Sequence, residues 1–410
     1  MTQAAFLSPS DAVLSTHAGT IAGERFRVLD SWRGICALLV ALFHFPTASM
    51  ISQSAFIGSS YLFVDFFFVL SGFVIASSYG DRLDQADQVA RFTLVRFGRI
   101  YPLHLLMLAA FACFELLRLM LPQLHGAGAA PFTGGFDLKS LAVNLLLLQG
   151  MGFEHRLTWN APSWSISAEF FAYLLFAAVV FVAGNRAWVW FVAAAVTAPL
   201  FLLGFSTHHM DVSYDFGFIR CLYGFSLGAL LAWFQHDSIA RARQAIARSG
   251  PRMDWTLAEI VMVAVIVLFV SLAGDNNLGI AAPLVFVLAL FLFAHEGGWI
   301  SAVLRMPFML TLGALSYSIY MVHLFVQARL INIAGLLDRK FGLGLVGDFM
   351  LRGQPATGFG NGWAGTTAIV AMLAATITVS WVTWRLVEMP AMAWFRRLSS
   401  RIRSASPANR

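Results

Sequence analysis

The sequence has few charged residues and almost no lysine. Only 12% of its 410 residues are charged, against about a quarter in an ordinary soluble domain. Hydrophobic residues make up 59%, and Lys139 and Lys340 are the only lysines, so the net charge of +6 comes from arginine. This composition excludes a soluble globular enzyme and predicts a polytopic membrane protein. We attribute the arginine excess to membrane topology and expect no nucleic-acid partner.

Cysteine and the common phosphate and metal motifs are also scarce. Cys36, Cys113 and Cys221 all lie in apolar runs, which excludes a disulfide framework or zinc-ligand spacing. The chain has no G-x-x-x-x-G-K-[ST] loop and no H-E-x-x-H motif. ATP-driven transport by this chain alone is therefore disfavoured, and we expect no metal site.

Ten apolar runs are long enough to cross a bilayer. They lie at about 30–50, 61–79, 101–121, 165–184, 187–205, 216–235, 256–273, 278–295, 307–335 and 365–388. With the N-terminus inside, 19 of the 27 basic residues fall in inner segments and 8 in outer ones, as the positive-inside rule requires. The sequence therefore predicts an all-α bundle of about ten transmembrane helices, with both termini cytosolic and the lipid bilayer as its surroundings.

The remaining segments complete the predicted organisation. Residues 1–24 are predicted to be a disordered cytosolic tail, 25–390 the transmembrane domain, and 391–410 a basic cytosolic tail. The apolar run at 141–148 is too short to span and is predicted to be interfacial or re-entrant.

The first span holds an arginine and a histidine on one face. Arg33 and His44 are eleven residues apart, nearly three whole helical turns, so they lie about 16 Å apart along the axis. An ionisable side chain within hydrocarbon is a functional-site candidate, and histidine is suited to removing a proton from a hydroxyl near neutral pH. The alternative for His44 is a hydrogen bond between helices.

Two carboxylates lie inside apolar spans and require polar partners. Asp65 lies among phenylalanines at the outer end of the second span, and Glu169 lies about a turn inside the fourth. Either carboxylate is a candidate to orient His44, as the third group does in triad-like sites. A structural ion pair or a helix-terminal acid is the alternative for both.

Two further groups of polar residues flank these positions. Arg96 and Arg99 share a helix face at spacing three, and their guanidinium groups suit phosphate oxygens, although topological anchoring also explains them. Ser165 in the fourth span, and Tyr317, Tyr320 and His323 in the ninth, are candidates to line a site. Packing contacts between helices are the alternative for these four. We interpret Glu388 as the partner of Arg385 one turn earlier.

Six stretches together resemble the membrane acyltransferase-3 family. They are LDSWRGICALLVALFHF, VDFFFVLSGFVI, RFGRIYPL, WSISAEF, LGALSYSIYMVH and VEMP, in the family's order from Leu29 to Pro390. The resemblance implies transfer of an acyl group, most often acetyl, from cytosolic acyl-coenzyme A to a hydroxyl. The family's acceptors are mostly sugars of surface polysaccharide, lipopolysaccharide or oligosaccharide, some of them lipid-linked, and some members modify small molecules.

The resemblance also implies roles for particular residues and a location. His44 matches the proposed catalytic histidine, Arg33 the motif arginine, and Arg96 and Arg99 the donor-side pair. The co-substrate is then acetyl-coenzyme A, without a metal, and the location is the bacterial inner membrane. A proton-coupled secondary transporter or flippase for a glycan or small molecule is the alternative function, because buried His, Asp and Glu also suit proton coupling.

Overall fold

The computed structural model describes residues 26–121, 130–274, 276–360 and 363–402, and most of these residues are helical. One long helix coincides with each of the ten predicted apolar runs. In chain order they are α1 Arg27–His44, α2 Phe63–Tyr79, α3 Ala86–Met120, α4 Ser163–Ala183, α5 Ala187–Phe205, α6 Gly217–Ser249, α7 Met253–Ala273, α8 Ala282–Ala294, α9 Pro307–Phe341 and α10 Trp363–Thr383. The predicted tail at 1–24 lies outside the described residues.

Shorter elements join these helices. They are the helices Met50–Gln53, Ala55–Gly58, Leu138–Leu145, Trp299–Leu304 and Met389–Ser399, the 3-10 turns Ser60–Leu62, Gly134–Phe136, Gly184–Arg186 and Asn277–Ala281, and the π-helical segment Trp384–Glu388. The all-α prediction is confirmed for the bundle. In the described residues one antiparallel hairpin, β1 Val346–Leu351 and β2 Gln354–Phe359, departs from it.

Eight segments of the described chain are long and apolar enough to cross a membrane. The count falls below ten for two reasons. The helix α1 carries Arg27, Asp30 and Arg33 within its 18 residues, and the single 43-residue segment Ser163–Phe205 contains both α4 and α5. A continuous helix of that length would extend about 65 Å, twice the thickness of a bilayer core, and the chain turns between them at Gly184, whose φ is 51°. The chain is therefore a multi-pass membrane protein.

Small residues bring α1 and α9 into close parallel contact. A Cβ at Gly34 would lie 2.7 Å from the Leu312 backbone, and one at Gly313 would lie 2.2 Å from the Asp30 carbonyl oxygen. Further along both helices, Gln327 of α9 donates to the carbonyl of Ala41 over 2.7 Å. Glycine at these positions lets two backbones approach within a membrane, and the approach places the far ends of α1 and α9 side by side.

The helices α2 and α6 pack in the same way. A Cβ at Gly72 would lie 1.9 Å from the Phe225 carbonyl oxygen, and one at Gly228 would lie 1.8 Å from the Val69 carbonyl oxygen. Gly224 to Gly228 read G-F-S-L-G, a pattern that in hydrolases marks a strand-to-helix turn carrying a nucleophile. Here the segment lies within one helix, so its glycines serve helix packing.

The helix α1 ends six residues before the predicted limit of its apolar run. His44 is its last residue, because Pro46 disfavours helical backbone in the residue before it. Beyond this point Ala48 donates to the carbonyl of Phe359 over 3.0 Å, and Phe359 donates to that of Pro46 over 3.1 Å. The hairpin therefore docks directly beside the end of α1. We call the side of the bundle where α1 begins the Arg33 end and the opposite side the His44 end.

Residues of the predicted C-terminal tail also take part in the fold. The helix Met389–Ser399 packs on α3, where Phe395 lies 5.8 Å from the Phe97 ring centroid and a Cβ at Gly98 would lie 2.3 Å from the Phe395 side chain. The described part of the tail, up to residue 402, is thus attached to the bundle.

Candidate active site

A cavity of about 170 Å³ enters the bundle from the Arg33 end. Its lining comes from the start of α1, most of the length of α2, the first halves of α3, α4 and α9, and His236 of α6. The polar and charged side chains around it are Asp30, Arg33, Ser71, Ser77, Ser78, Arg96, Arg99, Ser165, Glu169, Tyr173, His236, Ser316, Tyr317 and Tyr320. The structure thereby brings the three predicted arginines together with Glu169, Ser165, Tyr317 and Tyr320.

The three arginines of the cavity differ in what holds them. Arg33 lies 3.7 Å from the carboxylate of Asp30. The Arg96 guanidinium lies 5.4 to 5.7 Å from the ring centroids of Tyr79, Phe92 and Tyr173, and within the described residues it forms no ion pair. Stacked cations of this kind keep their hydrogen-bond donors available, so Arg96 is suited to an anionic ligand.

Arg99 is held by a carboxylate that sequence reasoning assigned elsewhere. Glu388 was expected to pair with Arg385, but its Oε1 pairs with Arg99 and its Oε2 accepts a 2.9 Å hydrogen bond from Ser318. The local expectation was wrong because Glu388 ends a π-helical segment, in which residues no longer follow α-helical spacing. The VEMP segment therefore holds one of the arginines that line the cavity.

Three buried polar atoms of the cavity wall lack a partner among the described residues. They are Ser77 Oγ, Arg96 Nε and Ser316 Oγ. A buried polar group without a hydrogen bond costs free energy, and the same atoms are positioned to bind a polar ligand inside the cavity. Ser77 and Ser316 were not singled out by sequence reasoning, since isolated serines in apolar helices carry no distinctive pattern.

The deep wall of the cavity is a hydrogen-bonded cluster. Ser165 Oγ lies 2.8 Å from Tyr320 Oη, and the Tyr320 hydroxyl lies 3.1 Å from the Pro162 carbonyl. Tyr317 donates to the Ile100 carbonyl over 2.5 Å. These contacts join α4, α3 and α9 at the bottom of the cavity.

Glu169 belongs to the cavity wall as well. Its Oε1 accepts a 2.5 Å hydrogen bond from Tyr173, whose hydroxyl also lies 2.9 Å from Ser71 Oγ. The carboxylate thus lines the same cavity as the three arginines, one helical turn after Ser165 in α4.

His44 lies beyond the cavity, at the far end of α1. The last turn of a helix leaves backbone carbonyls without helical partners, and here four carbonyls are satisfied from outside the helical ladder. Val40 O accepts from His44 Nδ1 at 2.9 Å, Ala41 O from Gln327 Nε2 at 2.7 Å, Leu42 O from the Phe45 N–H at 3.2 Å, and Phe43 O from Arg352 at 2.6 Å. Because a carbonyl only accepts, the Nδ1 of His44 must carry a hydrogen, and its Nε2 is left as the basic nitrogen.

The neighbour of His44 is a second histidine. His323, which is fully buried, places its Nε2 3.3 Å from His44 Nδ1. The ring centroids of His323 and Tyr320 are 6.0 Å apart, so His323 lies between the deep wall of the cavity and His44. In the described residues no carboxylate contacts His44.

Asp65 lies in a separate buried ion pair. Its two oxygens accept 3.0 and 2.8 Å hydrogen bonds from Arg220, which also donates to the carbonyls of Val212 and Tyr61. Asp65 and Arg220 are 0% and 1% exposed, which explains why both charges are tolerated only as a pair. Sequence reasoning found Asp65 but not Arg220, because the two are 155 residues apart.

No group of three or more His, Cys, Asp or Glu side chains converges on a metal-binding geometry within the described ranges. The half-buried His209 instead contacts Asn277 at 2.6 Å.

Comparison with known proteins gives one family and two relatives. The family model of the acyltransferase domain, acyltransferase family 3, matches residues 26–385. Acyltransferase MdmB of Streptomyces mycarofaciens is 27% identical over 389 residues, which cover 86% of this chain and 83% of that protein. The protein described as "Protein 2 in picA locus" of Rhizobium radiobacter is 43% identical over 96 residues, covering 22% of this chain and 46% of that protein, so the match spans less than half of that relative. No solved structure matches the chain.

Proposed function

The chain belongs to the acyltransferase-3 family and is a membrane acyltransferase, and we propose that it moves an acetyl group from cytosolic acetyl-coenzyme A to a carbohydrate hydroxyl. The proposed location is the bacterial inner membrane, with the Arg33 end and both termini on the cytosolic side. The excess of arginine in the segments assigned to that side supports this orientation.

The observation that carries the proposal is the arginine-lined cavity. Coenzyme A has phosphate groups at one end and a pantetheine arm with two amides at the other. Arg33, Arg96 and Arg99 line the cavity and suit the phosphates. The unpartnered Ser77 and Ser316 hydroxyls suit the amides of the arm. A helical rise of about 16 Å from Arg33 to His44 is comparable with the reach of that arm.

His44 is the proposed general base. Its Nε2 removes the proton from the acceptor hydroxyl, and the oxygen attacks the thioester carbonyl carbon. The carbon–sulfur bond breaks, the thiolate leaves as coenzyme A, and it takes up the proton from the His44 imidazolium. The products are an acetyl ester and a thiol, so no further reactant is needed. The free Nε2 of His44, with Nδ1 bound to Val40 O, supports this role.

The two carboxylates act away from the base in this scheme. Glu169 lines the donor cavity with Tyr173, where it limits the net positive charge around the arginines. Asp65 keeps Arg220 neutralised inside the bundle. The acceptor, a surface polysaccharide, lipopolysaccharide, oligosaccharide or lipid-linked glycan, approaches from the His44 end.

The experiment is to incubate membranes containing the enzyme with acetyl-labelled acetyl-coenzyme A and to follow label into glycan, lipid and small-molecule fractions. The wild type should label one carbohydrate fraction, and His44→Ala should lower that labelling by a factor of about 10³ or more, since positioned acid–base catalysis supplies about 10² to 10⁴. His208→Ala, at an exposed histidine of the described outer turn, is the matched control and should label as the wild type does. Full labelling by His44→Ala would exclude His44 as the base, and label in a lipid or small-molecule fraction alone would exclude the carbohydrate acceptor.

A further inference from the structure

The contact between His44 and His323 has a defined hydrogen-bond polarity. His323 Nδ1 lies 3.2 Å from the Ile319 carbonyl, one turn earlier in α9. A carbonyl only accepts, so this nitrogen carries the hydrogen of the neutral ring and the opposite nitrogen, Nε2, has a lone pair. That lone pair faces His44 Nδ1, 3.3 Å away.

His44 meets this lone pair with a hydrogen. The Nδ1–H of His44 is shared between Val40 O at 2.9 Å and His323 Nε2 at 3.3 Å, a three-centre arrangement of the kind common at helix termini. Both backbone carbonyls therefore favour the same pair of tautomers, in which His44 donates and His323 accepts. Neither ring can reverse its role without losing its own carbonyl bond.

We propose that His323 is a positioning residue for the acyl transfer, holding His44 in the tautomer whose Nε2 is the base and stabilising the imidazolium formed during the reaction. The proposal rests on the proposed function of His44. When Nε2 takes the acceptor proton, both His44 nitrogens become donors, and His323 Nε2 already accepts from one of them. His323 itself neither gains nor loses a proton.

The surroundings of the pair favour the same role. His44 is the last residue of α1, at the negative end of the helix dipole, where a cation is stabilised. His323 is fully buried and has Tyr320 on the side of the cavity, so its ring is held by protein contacts on both sides. The acceptor needs to reach only the Nε2 of His44, which is a half-buried residue.

The test compares two substitutions of His323 in the full-length enzyme. His323→Gln keeps a hydrogen-bond acceptor near the position of Nε2, whereas His323→Leu fills the space without one. Hydrogen bonds to charged groups are strong enough that the Leu variant should lose kcat by roughly 10- to 100-fold. The KM for acetyl-coenzyme A should not change in either variant, and the Gln variant should stay within about 5-fold of the wild-type kcat.

A second buried histidine supplies the control for folding. His104 is 1% exposed and lies 2.9 Å from the Asn144 carbonyl through its Nε2, away from the cavity lining. His104→Gln and His104→Leu should lower thermal stability in detergent without changing kcat per folded molecule. Thermal stabilisation by added coenzyme A would show that each His323 variant retains its donor site.

The outcomes separate the two proposals. Equal kcat in His323→Leu and the wild type would overturn the positioning role while leaving His44 as the base. Equal, severe losses in the Gln and Leu variants would overturn it too, because the imidazole itself would then be required. Absence of transfer by the wild type would overturn the proposed function and this inference with it.

Discussion

The two ends of the bundle differ in how far their buried polar atoms are hydrogen-bonded. At the Arg33 end, Ser77, Arg96 and Ser316 present buried atoms that have no protein partner in the described residues. At the His44 end, the last carbonyls of α1 and both oxygens of Asp65 are occupied by protein donors, and Gln327 Oε1 is a buried atom without a partner in the described residues. A buried polar group without a hydrogen bond costs free energy, so the difference indicates that the two ends have different functions. The Arg33 end is built to receive a polar ligand, whereas the His44 end is built to hold a fixed geometry.

The difference also has a structural cause in helix packing. Glycines bring α1 close to α9 and α2 close to α6, which leaves no room for a ligand within either pair. The cavity lies between the two pairs, and α3 and α4 form its other walls. A rigidly held histidine beyond the deep wall of an open cavity suits the proposed transfer reaction, because positioning the reacting groups supplies much of the rate.

The largest expected effect is a loss of folding stability when the buried ion pair between Asp65 and Arg220 is broken. Asp65→Leu leaves a buried arginine without its counterion, which should cost roughly 3–5 kcal/mol. The protein should lose its monodisperse peak in detergent size-exclusion chromatography and its heat stability. Replacing both partners, as in Asp65→Leu with Arg220→Met, removes the unpaired charge and should restore much of the folded protein.

The double variant distinguishes a structural Asp65 from a catalytic one. If the pair only holds α2 against α6, the folded double variant should transfer acetyl groups at a rate within about 10-fold of the wild type. The reason is that a hydrophobic replacement of similar volume disturbs the packing only modestly. A folded double variant without transfer would mean that Asp65 acts in the reaction.

A smaller effect, on donor binding, is expected from substitution of Arg96 at the Arg33 end. Arg96→Ala removes a charged donor from the cavity and should raise the KM for acetyl-coenzyme A by about 10-fold or more, with kcat changed little. Arg96→Lys should be intermediate, because lysine keeps the charge but neither the fork nor the stacking of arginine. Steady-state kinetics over a range of donor concentrations measures both.

The matched control for Arg96 is Arg241→Ala. Arg241 lies exposed on the same side of the bundle, near the end of α6, so it changes net charge without touching the cavity lining. Its KM should equal that of the wild type. An Arg96→Ala enzyme with unaltered donor KM would remove the phosphate role of this arginine.

The sequence predicts the Arg33 end of the bundle better than the His44 end. Helix positions follow from the length of apolar runs, and Arg33, Arg96 and Arg99 follow from spacing along single helices. The His44 end depends on contacts between distant segments, such as His44 with His323, 279 residues apart. Helical periodicity places each histidine on a face but carries no information about which other helix that face meets.

Two local errors have the same origin. The partner of Glu388 is Arg99, 289 residues away, where spacing suggested Arg385. The hairpin Val346–Phe359 was not predicted, because its short strands lack the apolar alternation that marks a half-buried strand. In both cases a contact between distant segments determines the structure: Arg99 pairs with Glu388, and the Phe359 N–H of the hairpin donates to the Pro46 carbonyl at 3.1 Å.

The smallest expected effect concerns that hairpin at the His44 end. Arg352 donates to the Phe43 carbonyl over 2.6 Å and lies 4.6 Å from the Phe43 ring centroid. Arg352→Ala should lower kcat by only about 2- to 5-fold, because this exposed hydrogen bond is worth about 1 kcal/mol and three other groups still hold the end of α1. Arg339→Ala, at an exposed arginine near the end of α9, should leave kcat unchanged.

The size of the loss of kcat in Arg352→Ala distinguishes two roles for the hairpin. A loss of a few-fold means that the hairpin only supports the end of α1, as the closed hydrogen bonding there indicates. A loss near 100-fold, with a rise in acceptor KM that grows with salt, would mean that Arg352 binds an anionic acceptor. The His44 end would then bind a ligand through a charged side chain, and the contrast with the Arg33 end would no longer hold.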